Sequence, residues 1–371
     1  MEHNDNERSV LISVLAGIGV GVLVGAIAGL LLAPRAGAET RQNIGTTLSE
    51  MGQKISELSQ QVASRVRTAV EHGKQAVADQ LEETGETKSE TERRHVYHTP
   101  HGDLIVHHVK TRDNAWREVD FPVHNADELR GLMWLHRNMT YHFNPEPFKR
   151  GQEYMGDRGE PQFWVPKGPY QALAQTWMKL PDFIAALLED TDLVEEVMAA
   201  IDASYDTLYE EIAQSGMVKI LNFGENVHEA LMCPDYFKRY HIPFYAKRCA
   251  QMRQAGIFTH VHIDGNFKSI LPLLTDVACD GIEALTPTPQ GDVDLERIAE
   301  YTGDKILLDV IPAILFMPTY SRETLMQCVE RICELFRERL ILGISDELPQ
   351  ASGEEGIERT RMIAKWCREH S

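Results

Sequence analysis

Residues 9–33, SVLISVLAGIGVGVLVGAIAGLLLA, run for 25 residues without a charge. As a helix rising about 1.5 Å per residue, such a run covers a hydrocarbon core about 30 Å thick. A cleaved signal peptide carries a shorter apolar stretch, about 7–15 residues. Residues 1–33 are therefore expected to be an N-terminal tail and a single transmembrane helix. Glu2, Asp5 and Glu7 outweigh Arg8 before the span, and Arg35, Arg41 and Lys54 follow it. That bias puts the membrane-anchored chain's C-terminal domain in the cytoplasm. Gly17, Gly21, Gly25 and Gly29 recur every four residues and line one helix face, where a second copy could pack closely. Glycine is also simply common in membrane helices.

Pro34 closes the span. Ile44, Leu48, Met51, Ile55, Leu58, Val62, Val66 and Val70 then recur at intervals of three or four. This pattern predicts an amphipathic helix over 34–82, suited to a coiled coil or to a lipid surface. Its charges nearly balance, which weakens a purely electrostatic membrane attraction. The stretch GLLLAPRAGAETRQNI (29–44) resembles the signature of YtxH-type, gas-vesicle-protein-like membrane proteins, and the likeness covers residues 7–82. It implies membrane attachment and no chemistry. Residues 83–94 are polar and charged without apolar periodicity, and read as a solvated linker.

The remainder, 95–371, has another character. RHVYHTPHGDLIVHHVKT has two β-rich arms around Thr99-Pro100-His101-Gly102 and predicts a hairpin. Its histidines fit an exposed strand better than a metal site. Six short apolar strands follow, at 162–168, 218–226, 257–265, 281–287, 305–311 and 339–347, separated by helical patterns. One helical stripe runs over 192–214 and stops at Gly216. Another helix begins at Pro234 and is expected to kink at Pro243. Strands alternating with helices imply parallel βαβ units, whose chemistry gathers beyond the C-terminal strand ends. Those ends carry Lys167, Glu225, Asn226, His262, Asp264, Asn266, Glu283, Asp309, Ser345 and Asp346. One polar group after one strand is usually a turn or a cap. The same placement after several strands in succession points to a site.

A net charge of −19 repels phosphate backbones and argues against nucleic-acid binding. The six cysteines include no C-x-x-C pair, which fits a reduced domain with cysteines acting as small buried hydrophobes.

The segments VPKGPYQAL, NFGENVHEALMCPDYFKRYHIPFYAKRCAQMRQAG, THVHIDGNFKSILPLL, DGIEALTPTPQGDVDLERI and LILGISDELP resemble, in this order, the uroporphyrinogen decarboxylase superfamily, which includes cobalamin-dependent methyltransferases. The resemblance implies a TIM-barrel-like (β/α)8 fold over 95–371. Only six barrel strands are recognisable, so the barrel reads as incomplete. The gap would be closed by the 95–110 hairpin, covered by a second copy or partner chain, or left in a defective enzyme. In the methyltransferase branch a His-x-Cys pair and a later Cys hold zinc that activates a thiol, which then takes a methyl group from a corrinoid. Here the matching positions are His262, Asp264 and Ser345. His262, Asp264 and Glu225 are the candidate metal ligands, with zinc or a harder ion expected. His262, Asp264, Glu225 and Asp346 are the candidate catalytic residues. Lys167, Asn226, Asn266, Glu283 and Ser345 are the candidates for binding a small-molecule substrate. The decarboxylase branch of porphyrin and haem biosynthesis, a lyase, needs no metal. Its Arg and Asp lie near the first two barrel strands, which are not evident here. Methyl transfer leads, decarboxylation is the alternative, and a non-catalytic membrane-tethered scaffold is the third reading.

Overall fold

The computed structural model describes residues 83–370, apart from residues 112–113, Ala230, Asp264 and residues 346–347. The expected membrane span, its glycine ridge and the amphipathic helix lie outside the described residues. Among those described, no helix is long and apolar enough to cross a membrane.

The first layer is a four-stranded antiparallel meander. Strands β1 (Glu83–Ser89), β2 (Glu92–Thr99), β3 (Gly102–Lys110) and β4 (Trp116–Asp120) pair in chain order. The predicted hairpin is β2–β3, closing with Thr99 opposite Gly102. At that turn Gly102 takes φ 117, a conformation that favours glycine. The charged stretch expected as a linker lies in this sheet: Glu83–Ser89 pairs with β2. Hydrogen bonding to a neighbour strand does not require apolar periodicity, so composition alone did not reveal it. The hairpin pairs with β1 and β4 and does not extend the parallel sheet.

Helix α1 (Ala126–Asn138) packs between this sheet and the rest of the chain. Asn125 caps it by accepting from the amides of Asp127 and Glu128. Leu129, Leu132 and Leu135 are buried in a core continuous with Leu104 of β3 and with the parallel sheet. Helix α2 (Pro145–Met155) follows, with Pro at its start and Asn144 as its cap.

The second sheet has six parallel strands: β5 (Gln162–Val165), β6 (Ile220–Val227), β7 (Phe258–Ile263), β8 (Gly281–Glu283), β9 (Ile306–Leu308) and β10 (Leu340–Ile341). Their spatial order is their chain order. All six were expected, with longer bounds. Strand β6 runs one residue past its expected end and carries Glu225 and Asn226, whereas the other five stop short of theirs.

Between β5 and β6 lie α3 (Leu180–Glu189), α4 (Thr191–Ser204) and α5 (Asp206–Ser215). The single stripe predicted over 192–214 is two helices meeting at Tyr205. Val194, Val197, Met198, Ile201, Tyr205, Leu208 and Ile212 are all buried as the stripe requires. Gly216, at φ 62, ends α5 in the left-handed conformation expected of a C-terminal stop. The helix after β6 starts at Pro234, passes through a π turn at Phe237–His241, and continues as α6 (Ile242–Gln254). The distortion expected at Pro243 falls in the turn before it, where the ring removes one backbone donor. Buried Arg248 of α6 ties the helix layer together. Its Nε lies 3.0 Å from Asp202 and its Nη1 2.8 Å from Asp206, above the Tyr209 ring. Helices α7 (Leu295–Tyr301), α8 (Arg322–Phe336) and α9 (Gly353–His370) complete the chain. Arg359 docks α9 by donating to the carbonyls of Leu315 and Tyr320, each at 2.7 Å.

Candidate functional site

Side chains two residues apart on a strand share a face. On β7, Thr259 faces the helix layer, with Oγ1 3.4 Å from Cys249 Sγ of α6. His260 and His262 therefore face the other side. Asn222 of β6 is in register with His260, and Glu283 of β8 with His262. Glycine at 281, between these rows, keeps the face open: a methyl group there would meet the Ile306 carbonyl at 2.9 Å and the His260 Cβ at 3.3 Å.

Glu283 is the hub. Its Oε2 accepts from Asn222 Nδ2 at 2.7 Å and lies 3.1 Å from His262 Nδ1. An ionised carboxylate only accepts, so His262 carries its proton on Nδ1 in this bond. His260 Nε2 lies 2.6 Å from Gln162 Oε1, and its Nδ1 is 3.8 Å from Glu283 Oε2. The layer thus runs across β5, β6, β7 and β8 without a break.

Asp309 joins from the end of β9. It sits at φ 54, rare for a residue with a side chain. Its Oδ1 occupies the space a side chain at Gly343 would need, 1.8 Å from an ideal Cβ. Burial, the charge of Glu283 and a hydrogen bond to Glu283 together push the Asp309 carboxyl up to about 7. Burial also acts against Glu283. There the hydrogen bond from His262, the charges of His260 and His262 and the Asn222 amide outweigh it, holding the carboxyl below its usual value. The two carboxyls are coupled: Asp309 holds its proton to about neutral pH, and Glu283 gives its own up more readily than usual. Burial holds His260 neutral, down to about 4. Of the two imidazoles His262 is the more accessible, with 22% of its side chain exposed against 3% for His260. The Trp164 ring lies 6.4 Å away from it.

Glu225 belongs to a different environment. Its Oε1 accepts from the Gly168 amide at 2.7 Å, and a Cβ at residue 168 would sit 2.6 Å from that oxygen. Its Oε2 is buried without a partner. Burial pushes this carboxyl up to about 7, only partly offset by the Lys167 charge and the Gly168 amide. Phe223, two residues earlier, stacks on Tyr209 and lies tilted against Tyr245 of the helix layer. Burial, with Glu225's charge adding, holds Tyr245 well above the phenol range. Glu225 is therefore on the helix side of β6, opposite Asn222.

The other candidates are dispersed. Lys167 donates to the Gly224 carbonyl at 3.0 Å, and burial holds its ammonium below its usual value. Asn226 and Asn266 are exposed, and their carbonyls accept from Gln171 and from the Glu229 amide. Ser345 is buried, and its hydroxyl has no partner. Asp264 and Asp346 lie outside the described residues. Among the described residues no three His, Cys, Asp or Glu side chains gather to hold a metal ion. Asn222, His260 and Gln162 are the members that the strand-end reading did not reach, and Asp309 stood among its strand-end groups without being given a role. Asp309 had a signal, a lone acid closing the apolar run KILLDVI. Asn222 and Gln162 lie mid-strand or at a strand start, where the search for polar strand ends did not reach.

The profile of the YtxH-like protein family matches residues 15–91. No curated protein matches the chain. Among solved structures, the chain is similar to a methyltransferase from Methanosarcina mazei, at 16% identity and a TM-score of 0.46. The similarity covers 69% of this chain and 74% of that one.

Proposed function

We propose that this chain is a membrane-anchored enzyme of the uroporphyrinogen decarboxylase superfamily, with a TIM-barrel-like domain and a methyltransferase-like reaction centred on His262. One observation supports this reading above others: His262 is hydrogen-bonded to Glu283, whose carboxyl is held low beside an Asp309 carboxyl that is pushed up, at the ends of consecutive parallel strands. A carboxylate that fixes the imidazole tautomer makes the ring a better base on its other nitrogen. In this reading the methyl acceptor is a thiol or another acid of similar strength. As the new carbon–sulfur bond forms, the bond to the donor breaks and leaves its electron pair on the donor. The thiol proton passes to His262. The methyl donor, a corrinoid on a partner protein, enters as a second substrate.

The described residues do not fit a thiolate zinc site. No cysteine belongs to the network, and Ser345 stands where the resemblance places a ligand. No step is routed through a metal. Protonated Asp309 favours a second reading, acid-assisted decarboxylation of a porphyrinogen.

The test incubates the full chain with methylcobalamin and a small thiol, and separately with uroporphyrinogen. Loss of the methylcobalamin spectrum with thioether formation supports methyl transfer. His262→Ala should then reduce turnover by about 10²–10⁴ while circular dichroism stays unchanged. Full turnover by His262→Ala removes His262 from the reaction. Metal-free formation of a four-carboxylate porphyrinogen instead establishes decarboxylation. Binding of neither leaves a tethered scaffold.

A further inference from the structure

Cys249 and Cys279 come from elements 30 residues apart, and their sulfurs lie 3.4 Å from each other. Cys249 is on the inner side of α6, and Cys279 lies in the short connection that leads into β8. Both are enclosed, at 0% and 2% exposure. A disulfide has sulfurs about 2.05 Å apart, so closure asks for an approach of only about 1.4 Å. Packing alone would accept any small apolar residue at these positions. It does not account for the charges arranged around the pair.

The connection carrying Cys279 is gripped by two cations. Arg253 donates to the Ala278 carbonyl at 2.8 Å and to Asp280 Oδ1 at 2.9 Å. Lys305 donates to the Val277 carbonyl at 2.6 Å and approaches the Cys279 carbonyl at 3.4 Å. On the other side, Thr259 Oγ1 lies 3.4 Å from Cys249 Sγ and 3.1 Å from Asp280 Oδ2. The thiol of Cys279, the Thr259 hydroxyl and the Arg253 charge favour a thiolate at Cys249 and outweigh burial and Asp280, which oppose it.

We propose that Cys249 and Cys279 form a reversible dithiol–disulfide couple that responds to small peroxides. The Cys249 thiolate attacks hydrogen peroxide. A sulfur–oxygen bond forms, the O–O bond breaks, and the departing hydroxide takes a proton to become water. The Cys279 sulfur then attacks Cys249 Sγ. The S–S bond forms, the sulfur–oxygen bond breaks, and the second hydroxide leaves as water with the remaining thiol proton. Two thiols are oxidised to one disulfide, and one peroxide is reduced to two waters. The bridge pins α6 to the entry of β8, four residues before Glu283. This couple does not depend on the proposed reaction.

The experiment treats the full chain in detergent with hydrogen peroxide. Free thiols are then alkylated under denaturing conditions, and the peptides are mapped by mass spectrometry. A Cys249–Cys279 linked peptide is expected, lighter by two hydrogens than its parts and lost on treatment with dithiothreitol. It should form before exposed Cys233 is over-oxidised. Cys279→Ala should abolish that link and leave Cys249 as a sulfenic or sulfinic acid. Cys249→Ala provides the reciprocal variant if the first does not fold. If both cysteines remain alkylatable after Cys233 has reacted, or if the only link joins other cysteines, the proposal is overturned.

Discussion

Glu225 and Glu283 are both buried carboxyls near the C-terminal ends of strands β6 and β8 of one sheet, yet their environments move them in opposite directions. Glu283 receives a side-chain amide and an imidazole, and remains ionised. Glu225 receives one backbone amide, leaves one oxygen without a partner, and holds its proton to about neutral pH. Burial raises both. The number of donors decides how far each carboxyl moves, and it leaves Glu283 the stronger acid of the two.

The strongest way to break this contrast is to remove the hub. Glu283→Ala removes the acceptor that Asn222 Nδ2 and His262 Nδ1 share. Urea unfolding at pH 7 should show a loss on the order of 3 kcal/mol. A loss below about 1 kcal/mol would mean that the network is not held through Glu283.

Next is the opposite pH dependence of the two acids. Glu225 has a folded value of about 7 against an ordinary 4.5. Because that value is raised, its contribution to stability is complete below about pH 4.5 and is lost as pH rises through about 7. Glu225→Gln mimics the protonated form. The variant should match the parent at acid pH and exceed it above pH 7, by at most about 3 kcal/mol. Glu283 is lowered, so its contribution is present above its ordinary value and disappears as pH falls below it. Chemical unfolding from pH 4 to 8 checks both signs. Parallel curves for parent and Glu225→Gln would dissolve the contrast.

Asp309 sharpens the comparison from within the site. Its value of about 7 means that the protonated form declines as pH rises past neutrality. If that form is required, turnover should fall about tenfold between pH 6 and 8. Asp309→Asn should erase the alkaline decline, read from the pH profile of kcat. The smallest effect is expected at Ser345. Its hydroxyl is already unpartnered, so Ser345→Ala should change stability by less than about 0.5 kcal/mol. A larger loss would reveal a role for that hydroxyl.

Much of the parallel sheet was legible because short apolar runs separated by helical stripes have few alternative folds. VHIDGNF announced a strand end, and His262 there is the half-buried imidazole hydrogen-bonded to Glu283. Grouping Glu225 with His262 followed from both standing at strand ends. Strand ends share an edge of the sheet, but each side chain also takes one of two faces. One residue of register separates Asn222 and Gly224 from Phe223 and Glu225. No local signal marks which set looks inward. Asn222 and Gln162 were missed because their importance comes from neighbours across the sheet. The break at Tyr205 was hidden because the buried stripe continues through it.

By itself, the amino-acid sequence determined the succession of strands along the chain, the helix stop at Gly216 and the helix start at Pro234, and the contrast between an apolar N-terminal run and an α/β domain. These depend on local dihedral preference and hydrophobic period, which a short window contains. Only the tertiary structure decided that Glu283 rather than Glu225 accepts from His262, that Asp309 is buried against Glu283, and that two cysteines 30 residues apart nearly touch. Those outcomes depend on register, face and burial, which arise only when distant segments pack and exclude water.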